Sequence, residues 1–184
     1  MPRNRFTVLV GAVAVLVLAG ASFAVANDHG SKTGIKSERL IGYNEVPPIS
    51  TTAKGSFTGR IDPVAKTITY ELKYEGLSST ALFAHIHFGQ KSVAGGVSAF
   101  LCGGGGKPAC PATGGTVTGT IAASDVINTV AGTVNQGIAA GEFDELVRAM
   151  KAHSTYANVH SMNFPGGEIR AQLRLVRGHD DDHD

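Results

Sequence analysis

Alternation of apolar and polar residues with a period of two runs through most of this chain and decides its fold class. In Thr67-Ile68-Thr69-Tyr70-Glu71-Leu72-Lys73-Tyr74, the residues Ile68, Tyr70, Leu72 and Tyr74 share one face, and Thr, Glu and Lys take the other. Successive side chains of a β-strand point to opposite faces, so this pattern predicts a strand with one side in a core. Phe57-Thr58-Gly59-Arg60-Ile61 predicts a partner strand, joined to it through the turn residues Asp62-Pro63-Val64-Ala65-Lys66. Further strands are predicted at 81–88, 97–101, 116–121, 156–160 and 168–175. In the last, Ile169, Ala171, Leu173 and Leu175 oppose Glu168, Arg170, Gln172 and Arg174. About seven short, one-sided strands define an all-β domain: an antiparallel β-sandwich or Greek-key barrel.

One segment departs from the period. Residues 142–151 place Phe143, Leu146, Val147 and Met150 at helical spacing, with acids at the start and bases at the end. That arrangement predicts one short amphipathic helix lying on the sheet, its charges matched to the helix dipole. Residues 124–140 are Gly-rich and read as a loop with a helical turn.

The two ends read differently. Arg3 and Arg5 precede an apolar run from Phe6 to Leu18, and small residues follow, ending in Ala24-Val25-Ala26. A basic start, an apolar stretch and an A-x-A site are the parts of a secretory signal peptide. A retained membrane anchor would need about 20 apolar residues. Residues 1–26 are therefore expected to be removed, with Ala19-Gly20-Ala21 as an earlier cleavage alternative, and the protein to be secreted, periplasmic or displayed at the cell surface. Residues 27–36 read as a disordered leader, 37–176 as the folded domain and 177–184 as a charged tail.

Sixteen Lys and Arg stand against 15 Asp and Glu. Removing the signal takes Arg3 and Arg5 and no acid, leaving a nearly neutral chain. Nucleic-acid binding needs a surplus of clustered positive charge and is not expected, nor is membrane attachment after cleavage. The two cysteines, Cys102 and Cys110, bracket a Gly/Pro loop. In an oxidising compartment such a pair is expected to close a local disulfide.

Chemistry concentrates in three histidines. His85 and His87 lie two apart in Phe83-Ala84-His85-Ile86-His87-Phe88, and so share a face opposite Ala84 and Ile86. In Tyr156-Ala157-Asn158-Val159-His160 the inward positions are Ala157 and Val159, which turns His160 the same way. If the two strands are neighbours, three imidazoles converge. A His-x-His pair with a third histidine suits copper or zinc. The competing account is three histidines that hydrogen-bond a loop over the sheet. The sequence Asn27-Asp28-His29 at a mature terminus, and His179 and His183 in the tail, are accessory metal-binding candidates. Glu45 and Glu168 are isolated carboxylates, expected to serve as hydrogen-bond partners rather than as an acid–base pair. No G-x-S-x-G, H-E-x-x-H or P-loop pattern occurs in the sequence, and an enzymatic role is not assigned.

The ordered set of motifs resembles the CHRD domain, named for chordin. The residues concerned are Gly42-Tyr43-Asn44-Glu45-Val46-Pro47-Pro48, Tyr74-Glu75-Gly76-Leu77, Ala84-His85-Ile86-His87, Tyr156-Ala157-Asn158-Val159-His160 and Phe164-Pro165-Gly166-Gly167-Glu168-Ile169-Arg170. Together they span 37–175. The resemblance implies an exported β-sandwich of unsettled function, and the domain is read as a binding or structural module, its partner an extracellular protein or surface. A fainter similarity is to the copper half of copper–zinc superoxide dismutase, whose copper ligands match His85, His87 and His160 in position. It implies, as the alternative, a copper-dependent dismutase-like metalloenzyme in which Arg170 steers an anion; the bridging histidine and zinc-loop ligands have no counterpart.

Overall fold

The computed structural model describes residues 32–176. The expected signal peptide, the first half of the leader with the Asn27-Asp28-His29 terminus, and the tail with His179 and His183 lie outside the described residues. The elements are β1 (Thr33–Ser37), β2 (Leu40–Ile41), β3 (Lys54–Asp62), β4 (Thr67–Glu75), β5 (Ala81–Phe88), β6 (Gly96–Cys102) and β7 (Gly115–Ala122), followed by the small hairpin β8 (Val130–Ala131) and β9 (Val134–Asn135). Helix α1 (Phe143–Lys151), β10 (Thr155–Ser161) and β11 (Ile169–Val176) complete the order.

Eight strands pair antiparallel in the order β6-β5-β10-β11-β1-β3-β4-β7, and β2 bridges β11 and β3. The sheet folds back on itself so that its two ends meet, giving the all-β sandwich that the alternation implies. Tyr70 on β4 donates its hydroxyl to Leu101 O on β6 at 2.6 Å, and Lys107 in the loop after β6 reaches Thr120 O on β7. Inside lie Phe57, Ile68, Leu72, Ile86, Leu101, Ile121, Ile169 and Leu173, all essentially inaccessible to water. Each such side chain contributes about 1.5–3 kcal/mol by leaving water. Helix α1 adds Phe143, Leu146, Val147 and Met150 to that core.

Two differences from the sequence reading have plain causes. Residues 33–36, expected in a disordered leader, are strand: β1 is hydrogen-bonded to β11 on one side and β3 on the other, with Ile35 buried. A single Ile among Thr, Gly and Lys carries no visible period. The 124–140 region contains the expected helical turn at Ala123–Asp125 and also the β8–β9 hairpin. Cys102 and Cys110 form the expected disulfide.

Strands β5 and β10 are buried on both faces. Ala84, Ile86, Ala157 and Val159 face the core, and the polar residues opposite are covered by the segments before β3, between β5 and β6 and between β10 and β11. That second, polar layer holds the site.

Candidate metal centre

β5 and β10 are adjacent and antiparallel, with Phe83 opposite His160, His85 opposite Asn158 and His87 opposite Tyr156. Cross-strand neighbours share a face, so the parity expected from the sequence brings the three histidines together. The residues His85, His87 and His160 are only 5%, 7% and 6% exposed. One nitrogen from each lies within 4.8 Å of the others. His85 Nδ1 and His160 Nε2 face each other at 3.1 Å.

The loops orient the rings. His87 Nδ1–H donates to Gly95 O at 3.0 Å, and His160 Nδ1–H donates to Pro165 O at 2.9 Å. A carbonyl can only accept, so these bonds fix the tautomer and turn the Nε2 lone pair of both rings toward the cluster, where His160 Nε2 accepts from His85 Nδ1–H. His85 Nε2 and His87 Nε2 are buried without a hydrogen-bond partner. Two unpartnered buried nitrogens in one cluster give it donor atoms that a metal ion could use. Both readings from the sequence thus meet in one geometry: one nitrogen of His87 and of His160 holds a loop, while the nitrogens without a hydrogen-bond partner are Nε2 of His85 and of His87.

Aromatic rings wall the cluster. Phe83 stacks on His85 with centroids 5.2 Å apart and meets His160 edge-on; Phe100 of β6 meets His85 edge-on at 4.4 Å. Tyr156 lies parallel to His87, and the Arg170 guanidinium sits 4.2 Å from the Tyr156 ring centroid. Burial, reinforced by the neighbouring His160 and His87, pushes the His85 pKa down to about 3. Burial likewise pushes His87 down to about 4, against the Gly95 bond, and lowers His160. All three imidazoles are therefore neutral at ordinary pH, the form that ligates a metal without first losing a proton.

Around them stand the residues that sequence reasoning left as structural. Glu45 accepts from Asn158 Nδ2 at 2.5 Å, and burial raises its carboxyl to about 7 despite the Arg170 charge. Glu168, fully buried, accepts from Thr51 Oγ1, the Ser78 amide and hydroxyl, and Ser161 Oγ. Arg170 is 3% exposed and donates Nε–H to Asn44 O and Nη1–H to Val93 O, so its guanidinium is a framework element. His153 follows the C-terminal end of α1 and does not join the cluster.

Two glycines permit these approaches. A Cβ on Gly95 would stand 1.8 Å from Phe88 O; one on Gly167, at φ 126°, would stand 2.7 Å from Asn158 Nδ2. The roles of Gly95, Phe100, Pro165 and Tyr156 were not read from the sequence. The only local signal was the Gly95-Gly96 pair immediately before a strand. A cleft of about 620 Å³ adjoins this layer, lined in part by Tyr43, Glu45, Lys91, His153 and Arg170; none of the three histidines lines it.

An antiparallel all-β domain with a buried histidine trio on its covered face is the class that fold and site define. The family model for the CHRD domain matches residues 37–173. The chain belongs to the CHRD-domain family. No curated protein and no solved structure matches it, and the similarity to superoxide dismutase finds no support in these comparisons.

Proposed function

We propose that this chain is an exported CHRD-domain binding module in which His85, His87 and His160 hold a copper or zinc ion. The observation that carries the reading is the pair of buried, unpartnered nitrogens, His85 Nε2 and His87 Nε2, in a cluster whose other donors are aimed by Gly95 O and Pro165 O. Three imidazoles with fixed tautomers match the donor type that both metals accept. Export is supported by the signal-like residues 1–26 and by the Cys102–Cys110 bridge, since disulfides persist in oxidising compartments. A partner at the cell exterior, protein or surface, belongs to the same reading.

Metal analysis of the protein purified from its own compartment tests it. One equivalent of copper or zinc per chain is expected, lost in His85→Ala and His160→Ala while Cys102–Cys110 stays closed. Unchanged stoichiometry in both variants would place the metal elsewhere and end this reading.

A further inference from the structure

The charge and shape of the cluster narrow the metal. The donors are three neutral imidazoles and nothing else: among the described residues no carboxylate joins the group, and both cysteines are held in the disulfide. The hydrogen bonds to Gly95 O and Pro165 O keep the Nδ1 protons on His87 and His160, so neither ring offers an anionic imidazolate. The buried carboxylates are engaged elsewhere, Glu45 with Asn158 and Glu168 with Thr51, Ser78 and Ser161. The nearby fixed charge that stacks into the layer, Arg170 over Tyr156, is positive.

A divalent ion here would keep both of its charges uncompensated in a site closed to water. The cost of removing an ion from water grows with the square of its charge, about fourfold from +1 to +2. Coordination number points the same way. Zn²⁺ in a three-histidine site takes a water or another donor as its fourth ligand. The walls are Phe83, Phe100 and the flat face of Tyr156, and the Tyr156 oxygen already accepts from the Gly95 amide. Monovalent copper is a closed-shell ion that is satisfied by three nitrogens. Metal–nitrogen bonds of about 2.0 Å set nitrogens about 3.5 Å apart in a trigonal plane; one nitrogen from each ring lies within 4.8 Å of the others, within reach of small ring rotations.

We infer that the His85/His87/His160 site selects Cu(I) over Zn²⁺ and Cu(II). The inference rests on the reading of these histidines as a metal site and adds the oxidation state of its occupant. The preference is one of equilibrium affinity. Each tenfold advantage of Cu(I) over Cu(II) raises the copper couple by about 59 mV relative to free copper.

The test is competition on the full chain with its disulfide intact. Under anaerobic conditions, Cu(I) is titrated against a chromogenic Cu(I) chelator; in air, Zn²⁺ and Cu(II) are titrated against buffered chelators of their own. Cu(I) is expected to bind one per chain, about a hundredfold or more tighter than Cu(II), equivalent to a potential about 120 mV above free copper, and to exceed Zn²⁺ by a similar factor. X-ray absorption should report three nitrogen neighbours. Replacing one neutral donor by an anion, in His85→Asp, should shift the preference toward Zn²⁺ at least tenfold, with circular dichroism confirming the fold. Zn²⁺ or Cu(II) binding as tightly as Cu(I), in a manner lost in His160→Ala, would overturn this inference and leave the metal site standing. Absence of binding by all three ions would overturn both. The wild-type competition decides the matter even if His85→Asp does not fold.

Discussion

His87 and Tyr156 lie face to face across the β5–β10 pair, ring centroids 4.7 Å apart and 3° from parallel, and the Tyr156 hydroxyl reaches over to accept the Gly95 amide at 3.1 Å. The same glycine's carbonyl holds His87 Nδ1. One tyrosine therefore fixes a metal-ligand candidate both directly, by stacking, and through the loop that sets its tautomer. Tyr156→Phe keeps the stack and orphans the half-buried Gly95 amide, at a cost of about 1 kcal/mol. Denaturant unfolding should show that loss, and metal affinity should fall about 10–100-fold, as for other outer-shell partners.

Gly95→Ala tests the loop itself. Its Cβ would stand 1.8 Å from Phe88 O, so the backbone must move and take the Gly95 carbonyl with it. Overpacking of this kind costs about 1–3 kcal/mol. The expected result is a lower melting temperature together with weakened metal binding; retention of full affinity would show that the carbonyl does not orient His87.

The histidines make the metal-free protein acid-sensitive. His85 and His87 titrate near 3 and 4 in the folded state and near 6.5 when exposed. Between those values the unfolded chain binds more protons, so stability is full above about pH 6.5 and falls as pH drops toward 4. Each histidine contributes a slope of about 1.4 kcal/mol per pH unit. Glu45 opposes this. Its folded pKa of about 7, against 4.5 unfolded, gives stability that is full below pH 4.5 and is lost as pH rises to 7. The two histidines outweigh one carboxyl, so net stability rises from pH 4 to a maximum near 6.5. Urea unfolding at closely spaced pH values should show this rise, and Glu45→Gln should steepen it above pH 4.5. A flat profile from pH 4 to 6.5 would mean that the histidines are not buried in neutral form.

Glu168 is the polar anchor at the far end of β10. Glu168→Ala would leave Thr51 Oγ1, the Ser78 amide and Ser161 Oγ without their acceptor. Ser161 is buried whereas Thr51 and Ser78 can turn to water, so with a buried orphan at about 1–3 kcal/mol a loss of about 1–3 kcal/mol is expected. Thermal unfolding of this variant should be shifted below that of an exposed control such as Glu75→Ala.

The parity of the histidines was legible because it needs only the period of two on each strand; Ala84, Ile86, Ala157 and Val159 turned inward and the rings had one direction left. The main strands and α1 were legible for the same reason. Strand β2 was not: two residues with one buried Leu40 carry no period. Nor was the burial of Arg170 and Glu168, because an alternating strand shows which residues leave the core but not what chain later covers them. Their partners are Asn44, Val93, Thr51 and Ser78, up to 126 positions away. The roles of Gly95 and Pro165 were hidden likewise, since they act through backbone carbonyls that have no sequence identity.

His85 and His160 meet from positions 75 apart in the chain. Loop closure on that scale is among the slower events of folding, and strand pairings of long separation are the last to be rewarded. No fragment ending before β10 contains the trio. If these rings take up a metal as proposed, that uptake is a timestamp: it marks the moment when strands β5 and β10 have found each other, and a nascent or clipped molecule has no way to counterfeit it.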